Sequence, residues 1–158
     1  MRSKLLFIAL AILILALMAL FALTNPSYEK AFKAKYYYYS KEYEEALNLA
    51  KEAFELDPYN RVALTIIKQT EIAQKFVDYI KEGEAYLEQI ETIARKLPIK
   101  KSDKIRIKMM CEIMIDKYSF LPSSKLIESD LINRAKEVYE KFNTLYTSVY
   151  KKPQIKQQ

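Results

Sequence analysis

The sequence predicts an all-α fold, with an N-terminal transmembrane helix followed by a helical hairpin and a long-helix bundle. The 158 residues include one glycine and five prolines, too few for the tight turns of a β-rich chain. Apolar residues also recur in steps of three and four along most of the chain, which is the period of an α-helix. The part after the apolar N-terminus, about 130 residues long, suits one domain with a modest core.

The first predicted element is a membrane-spanning helix within residues 1–25. Residues 5–23 form an uninterrupted apolar run, preceded by Arg2 and Lys4. At 1.5 Å per residue this run is about 28 Å long as a helix, close to the hydrocarbon thickness of a bilayer. The alternative is a cleaved secretory signal, whose apolar core is shorter, about 7 to 15 residues. The length favours an uncleaved signal anchor.

The orientation of this helix follows from the charges on its two sides. Arg2 and Lys4 favour a cytoplasmic N-terminus, although Lys30, Lys33 and Lys35 lie close on the other side. We expect a single-pass protein of the inner (cytoplasmic) membrane, whose soluble part lies in the periplasm of a double-membrane bacterium. A cytoplasmic soluble part is the alternative.

The next predicted element is a helical hairpin over residues 26–60. Its second helix lies within residues 43–58, which read YEEALNLAKEAFELDP. Ala46, Ala50 and Ala53 share one face of this helix and allow a partner helix to approach closely. Pro58 ends the helix because it lacks an amide hydrogen and disfavours helical φ and ψ in the residue before it.

This segment resembles the second helix of a tetratricopeptide (TPR) repeat, in which a Tyr-Glu-Glu-Ala-Leu opening leads to a Leu-Asp-Pro close. The resemblance covers about 35 residues, and in the preceding helix Ala34 and Tyr37 occupy the family's small and aromatic positions. Repeats of this family form a concave groove that holds a partner peptide or helix, so the resemblance implies protein binding. The alternative is that a lone TPR-like repeat only packs against the helices after it.

Four consecutive tyrosines, Tyr36, Tyr37, Tyr38 and Tyr39, end the first helix of the hairpin. They cannot all face inward on a helix, so at least one or two are expected to be exposed. Exposed tyrosines are good protein anchors because they combine large area with a hydrogen-bonding tip. Together with Tyr43 they are the candidate protein-binding residues, with ordinary packing or contact with lipid headgroups as alternatives.

A long helix from Arg61 to Lys96 begins the region 61–150. It carries a seam of apolar or small residues in alternating steps of three and four, typical of a coiled coil or bundle. Gly83 lies on this seam, where it either permits close packing or introduces a kink. The seam consists of Ala73, Phe76, Ile80, Gly83, Leu87, Ile90, Ala94 and Leu97.

Two further helices complete the predicted bundle. The middle one, capped by Ser102 or Asp103, is expected to run to about Phe120 and to lie between the other two, because most of its circumference is apolar. The last is expected from about Lys125 to Tyr150, capped by Ser123 or Ser124. The alternative is that the long helix pairs with a second copy or another protein. Residues 151–158 are expected to be a disordered tail.

The formal net charge of the chain is +6. Basic residues are concentrated at the start of the middle helix. This basic stretch could contact anionic lipid, an acidic partner or nucleic acid, or it is simply a solvated surface. Nucleic acid is the least favoured partner because no base-reading motif accompanies the charge. The candidate basic residues are Lys100, Lys101, Lys104, Arg106 and Lys108.

The composition argues against an enzyme. With no histidine, one glycine and one cysteine, the chain lacks the residues of a nucleophile triad, a glycine-rich phosphate loop or a Cys/His metal site. We therefore expect no cofactor, no metal and no catalytic residue, and we interpret Cys111 as an inert core thiol.

Taken together, these features predict a membrane-anchored TPR-like scaffold or adaptor that binds other proteins of a larger envelope complex, such as a flagellar motor accessory or a secretion apparatus. Homo-oligomerisation is compatible with the seams. The alternative is a peripheral module that binds anionic lipid or nucleic acid through residues 100–108.

Overall fold

The computed structural model describes residues 2–96, 98–123 and 126–150, and in these ranges it contains α-helices and no strands. The predicted all-α class is therefore confirmed. The predicted tail, residues 151–158, lies outside the described residues. The helices are α1 (Arg2–Thr24), α2 (Pro26–Tyr39), α3 (Tyr43–Leu56), α4 (Arg61–Ala94), α5 (Lys101–Ser119) and α6 (Ser129–Tyr150).

The chain divides into two compact units, and the division falls inside α4. The N-terminal unit extends to Glu71 and the C-terminal unit begins at Ile72. The boundary expected from the hairpin pattern lies earlier, between residues 60 and 61. The difference arises because Ala63, in the first turn of α4, belongs to the same buried cluster as Ala31 and Ala53.

In the N-terminal unit, α1 carries apolar side chains that are exposed at every described position. Judged on the described residues, no single helix has the length and apolarity that a membrane span requires. The segments Leu6–Phe21 and Pro26–Tyr39, bent by 77° relative to each other, meet these criteria together by length and composition. The bend falls at Asn25, whose side-chain oxygen accepts a hydrogen bond from Ser27 N (2.9 Å) and so caps α2.

The α2–α3 hairpin packs through alanines. Small side chains let two helix backbones approach closely, and the alanines of both helices are completely buried: Ala31, Ala34, Ala46, Ala50 and Ala53. Lys41 adopts a positive φ of 65° in the short connection, and Asp57 follows the end of α3 in an extended conformation. α2 and α3 lie within the predicted hairpin, and α3 ends at Leu56, two residues before Pro58.

A buried polar network joins the two ends of this hairpin to α4. The Ser27 hydroxyl donates to Ala53 O (2.7 Å) and accepts from the Asn60 side-chain amide (2.8 Å). The Asn60 side-chain oxygen accepts from the backbone N–H groups of Val62 (3.0 Å) and Ala63 (3.1 Å), which caps α4. Both Ser27 and Asn60 are buried with their hydrogen bonds satisfied, so the network stabilises the junction of three helices.

The C-terminal unit contains the rest of α4 together with α5 and α6, and large side chains fill its core. Phe142 and Met114 are completely buried, and Val138 is nearly so. All three approach Gly83: a Cβ atom at this position would lie 2.4 Å from Val138 Cγ1 and 3.1 Å from Met114 Cε. Gly83 therefore gives α6 and α5 room to pack on α4, which remains helical through this residue.

The starts of α5 and α6 differ from the expectation. The N-cap of α5 is Lys100, without a side-chain cap, so the predicted capping by Ser102 or Asp103 is wrong. α6 begins at Ser129. The predicted start at Lys125 and the predicted cap Ser124 lie outside the described residues. Ile127, in the non-helical segment before α6, is buried, so the packing of this side chain outweighs the serine capping signal.

The apolar seams end earlier than expected. On α4 the buried residues continue to Ile90, whereas Ala94 is exposed and Leu97 lies outside the described residues. α5 buries Ile107, Met110, Cys111 and Met114. However, Ile105, Met109 and Ile113 are exposed on the opposite side of α5, so this helix is not enclosed on all sides.

Candidate functional site

The tyrosine run divides into buried and exposed members. Tyr38 (3% exposed) and Tyr43 (8% exposed) belong to the core of the hairpin. Tyr36 and Tyr39 are 69% and 62% exposed, and Tyr37 is half-buried. Of the five candidate tyrosines, Tyr36 and Tyr39 therefore present the most surface to a partner.

The two buried tyrosines hold the hairpin together at its closed end. The rings of Tyr38 on α2 and Tyr43 on α3 meet edge to face, with their centroids 5.6 Å apart. This arrangement is favourable because the positive ring edge meets the negative ring face, and it contributes about 1 kcal/mol beyond the buried area. Their role in the described structure is to position α2 against α3.

The exposed tyrosines belong to a larger surface, which we call the α2 aromatic face: Tyr28, Phe32, Tyr36 and Tyr39. These residues follow one another at steps of four, four and three, so they lie along one side of α2. Phe32 is 49% exposed, and Tyr28 is half-buried. Tyr28 and Phe32 were not predicted from the sequence, although their helical spacing from Tyr36 is a signal that could have identified them.

Ion pairs flank this face. Lys33 Nζ lies 2.7 Å from Glu29 Oε1, one helical turn away, and Lys30 reaches Glu52 on α3. The hydrogen bond from Lys33 holds the pKa of Glu29 below its usual range, and the same bond raises the pKa of Lys33. These exposed pairs contribute little to stability. Lys35 is exposed beside the tyrosines, so the surroundings of the aromatic face are mixed in charge.

The candidate basic residues lie around the first turns of α5. Lys100, Lys101, Lys104 and Arg106 are exposed, and Lys108 is half-buried. Arg106 donates to Gln89 Oε1 on α4 (3.0 Å), and Lys108 Nζ lies 3.5 Å from Glu112.

Cys111 is completely buried in the core of the C-terminal unit. Burial raises the pKa of its thiol to about 11, and the neighbouring Glu112 carboxylate adds to this shift. The thiolate, the nucleophilic form, is therefore scarce near neutral pH. Among the described residues, no group of three or more acidic, cysteine or histidine side chains is arranged to hold a metal ion.

An open groove of about 650 Å³ lies between α4 and α6 in the C-terminal unit. Its lining includes the apolar residues Leu87 and Leu145 and the charged residues Glu137, Glu140 and Lys141. The shape and mixed lining are those of a shallow surface groove between two helices.

Comparison with protein-family models, with curated proteins and with solved structures gives no match. The TPR resemblance stays a prediction drawn from residues 26–60.

Proposed function

We propose that this chain is a membrane-anchored helical scaffold that binds a protein partner through the α2 aromatic face. The observation that carries the proposal is the exposure of Phe32, Tyr36 and Tyr39 in one line on α2. Large exposed aromatic surfaces on a helix are costly in water and are typical of binding sites. The position of α2 as the first helix of a TPR-like hairpin adds support.

The surface of α1 supports the anchor. From Leu6 to Phe21 the large apolar side chains are between 49% and 73% exposed, and this stretch contains no charged residue. Such a surface is stable only when covered by lipid or protein. We place α1 in the inner membrane and the rest of the chain in the periplasm, following the charges of Arg2 and Lys4.

Photo-crosslinking tests the partner-binding face directly. A photoreactive phenylalanine analogue replaces Tyr36 in one variant and Tyr59 in another, and the full chain is irradiated in intact membranes. Tyr59 is 91% exposed and lies outside α2, so it is the matched control. We expect a discrete protein adduct from position 36 and none of the same mass from position 59. Adducts only with lipid, or the same protein adduct from both positions, would contradict the proposal.

Substitution measures the strength of this contact. The change Tyr36→Ala with Tyr39→Ala removes two exposed rings, each expected to contribute about 2 kcal/mol of binding free energy. Affinity purification from detergent-solubilised membranes should then lose the crosslinked partner, whereas Tyr59→Ala should retain it. Retention of the partner by the double variant would exclude this face.

The anchor and its orientation have separate tests. Alkaline extraction should leave the chain in the membrane fraction, and its mass should include α1, because a cleaved signal would release a shorter soluble chain. In intact spheroplasts, external protease should digest α3 to α6. Protection of these helices would place them in the cytoplasm, which would overturn the orientation but not the anchor.

A further inference from the structure

The outer side of α5 carries an apolar stripe that remains partly exposed. Ile105 is 52% exposed, Met109 is 55% exposed and Ile113 is 36% exposed, at successive steps of four residues. The opposite side of the helix forms the core through Met110 and Met114. We call Ile105, Met109 and Ile113 the α5 outer face.

Basic side chains flank the first half of this face. At about 100° per residue, Lys101 and Lys108 project roughly 40–60° to one side of Ile105, and Arg106 projects to the other. Lys104 lies on the same side as Lys101 and is exposed. An apolar centre with basic edges is the pattern of a helix that lies in a membrane interface.

The acidic groups near α5 leave this first half basic. Asp103 is half-buried in the first turn. Glu112 accepts a hydrogen bond from the Tyr146 hydroxyl (3.0 Å) and lies 3.5 Å from Lys108. Asp116 is exposed one turn further on, on the side of the apolar stripe. The positive charge is therefore concentrated beside Ile105 and Met109, and the second half of the outer face is less suited to an anionic surface.

We propose that the first half of the α5 outer face docks on an anionic lipid surface. Ile105 and Met109 enter the boundary between headgroups and acyl chains, while Lys101, Lys104 and Arg106 contact lipid phosphates. Charge complementarity selects this occupant. A second copy would bring two basic faces together, and nucleic acid would leave the apolar centre without a partner. This contact is additional to α1 and does not depend on the protein-binding role of α2.

The test measures how deeply α5 enters the membrane. The full chain is incorporated into lipid nanodiscs. The variant Met109→Cys is labelled with a nitrobenzoxadiazole fluorophore, and Asn133→Cys on the exposed side of α6 is the control. Cys111 is completely buried and reacts slowly, so labelling is selective. Discs contain phosphatidylcholine alone or with phosphatidylglycerol, and doxyl-labelled lipid quenches fluorophores that reach the membrane.

We expect quenching at position 109 in the phosphatidylglycerol discs, little in the neutral discs, and little at position 133 in either. High salt should reduce the quenching at position 109, because the Debye length falls to about 3 Å at 1 M. Equal quenching at position 109 in both kinds of disc, or none in either, would overturn the proposal.

Charge variants sharpen the result. Reversing Lys101 and Lys104 to glutamate should lower the ratio of docked to free α5 by about 25-fold or more, since each lysine near an anionic surface contributes about fivefold. The matched control reverses Lys75 and Lys81, which are exposed on α4, and should leave the ratio unchanged. An equal effect of the two pairs would show a general charge effect and would overturn the assignment to α5.

Replacing exposed apolar residues with serine tests whether α5 inserts into the membrane. Ile105→Ser should reduce the quenching at position 109, whereas Val149→Ser, at a similarly exposed site (54%), should not. A fluorescence shift that rises with protein concentration and needs no anionic lipid would instead indicate contact between copies. Displacement of the chain from lipid by an oligonucleotide that binds at Lys101 and Lys104 would indicate nucleic acid. Either result would overturn the lipid proposal.

Discussion

The two units of this chain are packed by different means. The N-terminal hairpin packs through alanines, and buried hydrogen bonds link Ser27, Ala53 and Asn60. In the C-terminal unit large side chains pack together, and Phe142 and Met114 lie against Gly83. Alanine buries little apolar area per residue, so the first unit depends more on satisfied polar groups, and the second depends more on the fit of its core.

The tyrosines also differ between the two units. In the C-terminal unit, Tyr118 stacks on Tyr139 with a centroid distance of 4.4 Å, and Tyr79 donates its hydroxyl proton to Met114 O (3.2 Å). Burial raises the pKa of Tyr79, which keeps its hydroxyl protonated as a donor. In the N-terminal unit, by contrast, Tyr36 and Tyr39 remain exposed. One unit therefore uses its tyrosines for packing, and the other keeps some of them at the surface.

The largest effect is expected from truncating the core of the C-terminal unit. Phe142→Ala removes a completely buried ring and should lower the free energy of unfolding by about 3–5 kcal/mol. Hydrogen exchange of the amides in α5 and α6 measures this loss in the full chain. Phe120→Ala, at a residue that is 83% exposed, is the control and should change stability by less than about 0.5 kcal/mol. Similar values for the two variants would contradict the packing described here.

A polar substitution tests the N-terminal unit. Asn60→Ala removes the α4 cap and the amide that donates to Ser27, and should cost about 2 kcal/mol. Hydrogen exchange should increase in α2, α3 and the first turns of α4. Asn48→Ala, on the exposed side of α3, should have little effect. If the two asparagines proved equivalent, the buried network would not stabilise the hairpin.

Gly83→Ala tests how closely α6 approaches α4. The new methyl group would overlap Val138, whose branched side chain is restricted at χ1, so we expect a net loss of about 1–2 kcal/mol despite the better helix propensity of alanine. Val138→Ala should relieve the overlap. In urea unfolding, the double variant should therefore be more stable than the sum of the single changes predicts. Additive losses would exclude direct contact.

The smallest expected effect is an increase in the free energy of unfolding. Thr70 is completely buried in the N-terminal unit, and its hydroxyl has no hydrogen-bond partner among the described residues. Thr70→Val replaces this hydroxyl with a methyl group and should stabilise the unit by about 1 kcal/mol. Thr65→Val, at an exposed site where the hydroxyl bonds Arg61 O, should give no such gain. Destabilisation by Thr70→Val in urea unfolding would reveal a partner for this hydroxyl.

The two helices of the hairpin were predicted well from the local sequence pattern. The alanine spacing in α3 and the Asp57–Pro58 ending are local signals, and the structure follows them. The starts of α5 and α6 were predicted less well. α5 begins after Lys100, which provides no side-chain cap, and Ile127 is buried before α6 begins. Serine and aspartate capping preferences contribute about 1 kcal/mol, which the burial of an apolar side chain can outweigh.

The exposed residues of the candidate surfaces could likewise be predicted only in part from the sequence. The run of tyrosines implied that some rings are exposed, but only the packing of α2 on α3 decided that these are Tyr36 and Tyr39. The same holds for Ile105 and Met109, which the apolar pattern placed inside the bundle. When most of the circumference of a helix is apolar, its sequence does not show which of its sides packs against a neighbour.

The sequence by itself determined the all-α class and the extent of the α2–α3 hairpin, because these depend on helical periodicity and on residues with distinctive backbone properties. Only the tertiary structure decided where the chain divides within α4 and which apolar residues remain exposed. Those outcomes depend on the sum of many weak contacts between distant residues, and no local pattern records that sum.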